Sequence, residues 1–286
     1  MTRRGRYPLP PEQSFVQAEL TDTTRSGGPK ILHCRTECAG PSHGSDQRDT
    51  RYALRDIRFR THWSAPMKIG IIGAGNIGGN LTRRLTALGH QVSVANSRGP
   101  QTLTALAQET GATPVTVAEA ARGAEVVVVT VPLKNVPDLP SGLFDGAADG
   151  FAVIDTCNYY PQRRDGRIAG IEDEGLTESR WTEGRLGHPV VKAFNGTFAE
   201  DILSKPLPAG SPDRMALPVA ADDEAAKKAV RALIDELGFD TVDAGGLDDS
   251  WRQQPGTPVY GLRAGVDAVV KALAEASPER TAEFRG

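Results

Sequence analysis

A doubly wound parallel α/β sheet starting at Met67 is the fold class this sequence predicts, and three observations carry it. Short apolar runs alternate with segments of helical period across residues 67–242. A glycine cluster, Gly73-Ala74-Gly75-Asn76-Ile77-Gly78, falls at the first strand-to-helix junction. The run Val126-Val127-Val128-Val129 is apolar without alternation, the pattern of a strand covered on both faces.

The elements follow in order. Lys68–Ile72 reads as the first strand, bounded by glycines. Ile77, Leu81, Leu85 and Leu88 share one helical face across residues 77–88, and Gly89 ends that helix. Gln91–Ala95 is the second strand. Residues 102–110 form a helix, 113–117 a short strand, 118–123 a brief helix and 125–131 the valine strand. Residues 151–155 come next, then a helix over Glu178–Leu186 and a strand over 189–194. Strand 215–220, helix 222–237 stopped by Gly238, and strand 239–242 complete the alternation. Residues 244–286 hold one helix, 263–275, among Gly- and Pro-rich loops. Short connections throughout imply a parallel sheet with helices on both faces. The predicted division is a nucleotide-binding domain over residues 67–195 and a small carboxyl-terminal α/β extension over 196–286.

Residues 1–66 differ in kind. They hold eleven Lys/Arg against seven Asp/Glu and show no sustained apolar period. Such a stretch buries too little surface to offset its ordering entropy, which predicts a disordered basic arm. Met67 opens directly onto a strand, so the arm is either extraneous to the native protein or a basic interaction tail. The rest of the chain is acidic and the whole carries a net charge of −3, which provides no global basic field for nucleic acid. Cys34, Cys38 and Cys157 are too few for a disulfide framework. His33, Cys34, Cys38 and His43 lack a zinc-site spacing, so no metal is expected. No apolar run approaches the ~20 residues that span a membrane. Pro8-Leu9-Pro10-Pro11 replaces the apolar stretch of a secretory signal. A cytoplasmic location is expected.

The glycine cluster fits G-x-G-x-x-G in its informative context, after a strand and opening a helix. Gly73 permits a tight turn, and Gly75 lets the backbone approach a pyrophosphate. Asn76 and Ile77 start the helix whose amides and dipole favour that anion, and Gly78 allows helix and strand to pack closely. This is a Rossmann-type dinucleotide fingerprint. The second strand ends in Asn96-Ser97-Arg98, where an NAD site places an acid for the ribose hydroxyls. Here a serine hydroxyl and a guanidinium fork suit a 2′-phosphate instead, which predicts NADP; the alternative is a solvated Arg98. Thr130, Val131 and Pro132 leave the fourth strand where the nicotinamide half binds, although Pro132 is equally suited to ending the strand.

No acid–base residue stands out. Asn158 follows the fifth strand and Asn195 the sixth, so either amide could meet the carboxamide or the acceptor ring, or cap a loop. His188 lies at the wrong end of its strand. Lys192 falls inside an apolar strand, for which an edge position is the expected explanation. Tyr159 and Tyr160 could stack on a ring, but packing is the favoured role.

Together these stretches resemble the NADP oxidoreductase family that contains the coenzyme F420-dependent NADP reductases. The likeness rests on residues 67–78 and Asn96-Ser97-Arg98, and extends to Val190-Val191-Lys192-Ala193-Phe194-Asn195 and Leu237-Gly238-Phe239. It implies an NADPH-binding domain, hydride exchange with the deazaflavin F420 as small-molecule acceptor, and a homodimer. Residues 158–167 and 249–258 look like a distinct subgroup. Reduction of another small substrate, or a non-catalytic NADP(H) sensor, are the alternatives. Hydroxyacid dehydrogenases and pyrroline-5-carboxylate reductases would need a large helical second domain, which residues 196–286 do not predict.

Overall fold

The computed structural model describes residues 65–286. Residues 1–64 of the predicted basic arm, with His33, Cys34, Cys38 and His43, lie outside them. Strand β1 (Lys68–Ile72) runs into α1 (Asn76–Ala87), then β2 (Gln91–Ala95), α2 (Thr104–Thr110) and β3 (Thr113–Pro114). Strands β4 (Val126–Val129), β5 (Ala152–Asp155) and β6 (Val191–Lys192) complete the main sheet, with α3 (Ala169–Glu172) and α4 (Glu178–Leu186) between β5 and β6. Its order is β3-β2-β1-β4-β5-β6, all parallel, so the direction of winding reverses between β1 and β4.

Strand alternation divides the core in two. Ile69, Ile71, Val126, Val128 and Ile154 pack with Leu81 and Leu85 of α1 on one face. Ile72, Val127, Val129 and Val153 pack with Leu133, Val136 and Trp181 on the other. All four β4 valines are therefore buried, each contributing about 1.5–3 kcal/mol. Gly70 has a packing reason of its own. A Cβ there would lie 2.2 Å from the Ala120 carbonyl oxygen, so its hydrogen lets the turn before β4 press on β1.

After β6 come α5 (Asp201–Ser204), β7 (Ala216–Val219), α6 (Glu224–Leu237), β8 (Asp240–Asp243) and α7 (Val266–Ala274). Asp223 caps α6 by accepting from the amides of Ala225 and Ala226 at 2.9 and 3.0 Å, and Gly238 closes it at φ 100°. Val230, Leu233, Ile234 and Leu237 seat α6 on the main sheet. Strands β7 and β8 pair with each other rather than extending that sheet. One antiparallel bridge, Lys192 to Ala220, joins the two. The expected doubly wound parallel sheet is present with six strands, and β7 and β8 form a separate two-stranded sheet in the carboxyl-terminal α/β portion. The predicted strands 113–117, 125–131 and 189–194 are shorter, spanning Thr113–Pro114, Val126–Val129 and Val191–Lys192. Among the described residues no helix is long and apolar enough to cross a membrane.

Candidate functional site

The register aligns Ala95, Ile72, Val129, Asp155 and Lys192 across five neighbouring strands. The residues that follow them therefore form a row along the carboxyl edge, where open α/β sheets hold their ligands. Gly73 and Thr130 meet where the winding reverses. Gly73 has φ 111°, and a Cβ on it would stand 2.1 Å from the Thr130 carbonyl oxygen. A Cβ on Gly78 would lie 1.8 Å from the Gly73 oxygen. Both glycines are demanded by protein packing alone. Gly75 is different: its Cβ would meet nothing within 4 Å. It sits exposed at the N-cap of α1, with no side-chain cap and no acidic residue in the first turn. The free amides and positive end of α1 at Asn76 and Ile77 are left to an anion.

At the end of β2, Asn96 Oδ1 accepts from the Arg98 amide at 3.0 Å, and Asn96 Nδ2 donates to the Thr102 hydroxyl at 2.9 Å. This folds residues 96–99 into a turn and leaves the Ser97 and Arg98 side chains exposed. No described carboxylate pairs with Arg98. Its guanidinium borders an open groove of about 590 Å³ that also meets Gly75, Asn76, Asn80 and Thr102. Arg83, on the same groove, is held in a fork by Glu109 at 2.7 and 2.8 Å. Val131 and Pro132 follow Thr130 at partial exposure, and Pro132 also begins the turn Leu133–Asp138. Pro132 thus opens that turn, three residues past the end of β4 at Val129.

The two asparagines come together. Asn158 Nδ2 donates to the Asn195 carbonyl at 2.8 Å, and Asn195 Nδ2 donates to Asn158 Oδ1 at 3.1 Å and to the Gln253 carbonyl at 2.7 Å. Gln253 Nε2 returns to Asn195 Oδ1 at 3.1 Å. Asn195 is spent on this ring, whereas Asn158 is half-exposed at its rim. Phe194, just before, holds φ 62°, the one positive φ among described non-glycine residues, and this sharp bend turns Asn195 inward.

Behind the ring lies a buried ionic cluster. Lys192 is fully buried, because the bridge to Ala220 covers the edge strand. The edge placement expected for Lys192 holds, but exposure does not follow from it. Its ammonium donates to the Cys157 carbonyl and lies 3.4 Å from Asp155 and 3.9 Å from Glu178. Asp155 also accepts from the Cys157 amide and the Ser179 hydroxyl at 2.8 and 2.6 Å. Arg280 donates to Glu178 at 3.1 Å and to Gln254 at 2.7 Å. Burial pushes the Glu178 carboxyl above its ordinary value against the pull of Lys192 and Arg280. It likewise pushes the Cys157 thiol up, which makes that sulfur unreactive.

His188 sits at the amino end of β6, half-buried with its ring centroid 4.3 Å from that of Phe151, away from the crevice. Tyr159 packs, buried, with its hydroxyl accepting from the Ile168 amide at 3.0 Å. Tyr160 does not simply pack. Its hydroxyl bonds that of Tyr260, which also receives Asn158 Nδ2 at 3.4 Å. Tyr260, Gln253, Glu178 and Arg280 were missed from sequence. None sits in a motif, and each meets the site only through the tertiary fold.

A family model described as NADP oxidoreductase, coenzyme F420-dependent, matches residues 68–159. The hypothetical protein SMa0349 of Sinorhizobium meliloti is 30% identical, and the match covers 71% of this chain and 96% of that one, with a TM-score of 0.59. The chain belongs to this family of NADP oxidoreductases. A candidate F420-dependent NADP reductase of Arthrobacter sp. FB24 shares the fold at 22% identity, over 63% of this chain and 86% of that one, with a TM-score of 0.53. Among curated proteins, YjhV of Escherichia coli K12 is 48% identical over 54 residues, 19% of this chain and 39% of that one. Erythronate-4-phosphate dehydrogenase of Salinibacter ruber is 42% identical over 94 residues, 31% of this chain. The chain thus spans 39% and 24% of these two curated relatives.

Proposed function

We propose that this family member exchanges a hydride between NADPH and the deazaflavin coenzyme F420. The observation that carries the cofactor half is the turn Asn96-Ser97-Arg98. A guanidinium free of ion pairs with described residues and a serine hydroxyl stand where a 2′-phosphate would lie, and no acid is there to repel it. The uncapped amino end of α1 and the open space beside Gly75 suit the pyrophosphate. Thr130, Val131 and Pro132 would flank the nicotinamide, with Asn158 at the rim beyond them.

Bound NADPH supplies the hydride; the protein orients, desolvates and holds protons. The acceptor half rests on family membership and on the flat, half-exposed tyrosine pair beside Asn158. Arg98→Ala is expected to remove a charged hydrogen bond worth about 1.5–3 kcal/mol, about ten- to hundredfold in NADPH affinity, and to leave NADH affinity nearly unchanged. Titration calorimetry with both cofactors checks it, and equal losses would refute the phosphate assignment. Deuterium on nicotinamide C4 should then appear on deazaflavin C5 without exchange into water. Tight NADPH binding with no turnover would favour a sensor.

A further inference from the structure

We infer that Tyr160 is the proton donor that accompanies the hydride, and that Tyr260 positions and re-protonates it. The inference deepens the hydride-exchange reading and rests on it. Asn158 Nδ2 donates to Tyr260 Oη at 3.4 Å, and the Tyr260 and Tyr160 hydroxyls bond each other. Burial, more than the neighbouring hydroxyl, pushes the Tyr260 phenol far above its ordinary value, so it keeps its proton. With the Tyr260 proton directed at Tyr160, the chain runs Asn158 to Tyr260 to Tyr160 and leaves the Tyr160 proton unassigned. No other described group bonds that hydroxyl, and its side chain is half-exposed.

The position fits the chemistry. Tyr160 lies five residues past the end of β5, and its amide is fixed by Asp165 at 2.7 Å. Arg164 grips the Asn158 carbonyl at 2.6 Å and lies 5.0 Å from the Tyr160 ring centroid, so Asn158 and Tyr160 are held as one rim. A hydride added to a conjugated ring carbon breaks the nicotinamide C4–H bond and pushes an electron pair onto a ring nitrogen of the acceptor. That nitrogen takes the Tyr160 proton, and Tyr160 takes the Tyr260 proton as Tyr260 takes one from solvent water, so Tyr260 stays a neutral phenol throughout. The net reaction consumes one NADPH, one oxidised acceptor and one proton. Neither His188 nor Lys192 could serve, one being at the far end of β6 and the other sealed in the interior.

The test compares the native chain with Tyr160→Phe and Tyr260→Phe, using oxidised F420 and 1-pyrroline as acceptors. Tyr160→Phe is expected to keep native NADPH affinity and thermal midpoint, to weaken equilibrium F420 binding several-fold, and to lower turnover about 100-fold or more. Tyr260→Phe should lower turnover less and change the solvent deuterium effect, with NADPH affinity again intact. Native F420 binding and turnover in Tyr160→Phe would overturn the inference. Should that variant lose its fold, native turnover and solvent effect in Tyr260→Phe would overturn it as well. If the native chain ignores F420 but reduces 1-pyrroline, the acceptor reading falls; a loss in Tyr160→Phe still supports the donor. Action on neither compound overturns both.

Discussion

Lys192 holds its ammonium 3.4 Å from the Asp155 carboxylate, and water reaches neither side chain. The two stand opposite each other at the carboxyl ends of β6 and β5. Lys192→Met should therefore leave Asp155 as an uncompensated buried acid and Glu178 with Arg280 alone. The expected loss is about 3–5 kcal/mol, read as a lower urea midpoint at unchanged slope. A loss below about 1 kcal/mol would mean that the cluster admits water.

Glu178 adds a pH dependence. Its folded carboxyl titrates above the ordinary value because of burial, although Lys192 and Arg280 face it. A raised folded value means that its contribution is fully present below the unfolded pKa and is lost as pH rises through the folded one. Relative to Glu178→Gln, the native chain should lose stability as pH climbs from about 4.5, near the unfolded value. Denaturation series of both chains from pH 4 to 8 check this. A constant difference would contradict it.

The glycines separate fold from ligand. Gly78→Ala drives a Cβ into the Gly73 carbonyl and should cost about 1–3 kcal/mol through forced backbone movement. Gly75→Ala meets open space, so its thermal midpoint should stay close to native while NADPH binding weakens. Equal NADPH affinity in Gly75→Ala would remove the pyrophosphate from that position.

Asn195→Ala opens the amide ring and strands Asn158 Oδ1 and the Gln253 carbonyl. The expected cost is about 1–3 kcal/mol, with kcat falling more than NADPH affinity. Steady-state kinetics beside cofactor titration decide it; loss of NADPH affinity alone would put Asn195 in the cofactor site.

The first half of the fold was legible because its signals are local. Leucine spacing marks α1, the valine run marks β4, and the glycine cluster sits at the junction that gives it meaning. Glu178–Leu186 was readable as a helix for the same reason. The second sheet was not, since alternation says that a strand exists but not which neighbour it takes. Lys192 misled because its compensation comes from Asp155 and Glu178, on two other segments. The Tyr160–Tyr260 pair spans 100 residues, beyond the reach of any spacing rule.

The ring of Asn158, Asn195 and Gln253 draws on the ends of β5 and β6 and on the turn Leu247–Gln253. Each amide is oriented by the others, so none can flip to suit an arriving molecule without breaking its neighbours' bonds. The ordering entropy of the crevice floor is met during folding and is not charged again on association. Such a floor discriminates by shape and hydrogen-bond polarity and adapts poorly. Altered acceptor preference should therefore come from substitutions around it, at exposed positions such as Gln162, Arg163 and Pro258, whose side chains do not bond the lock.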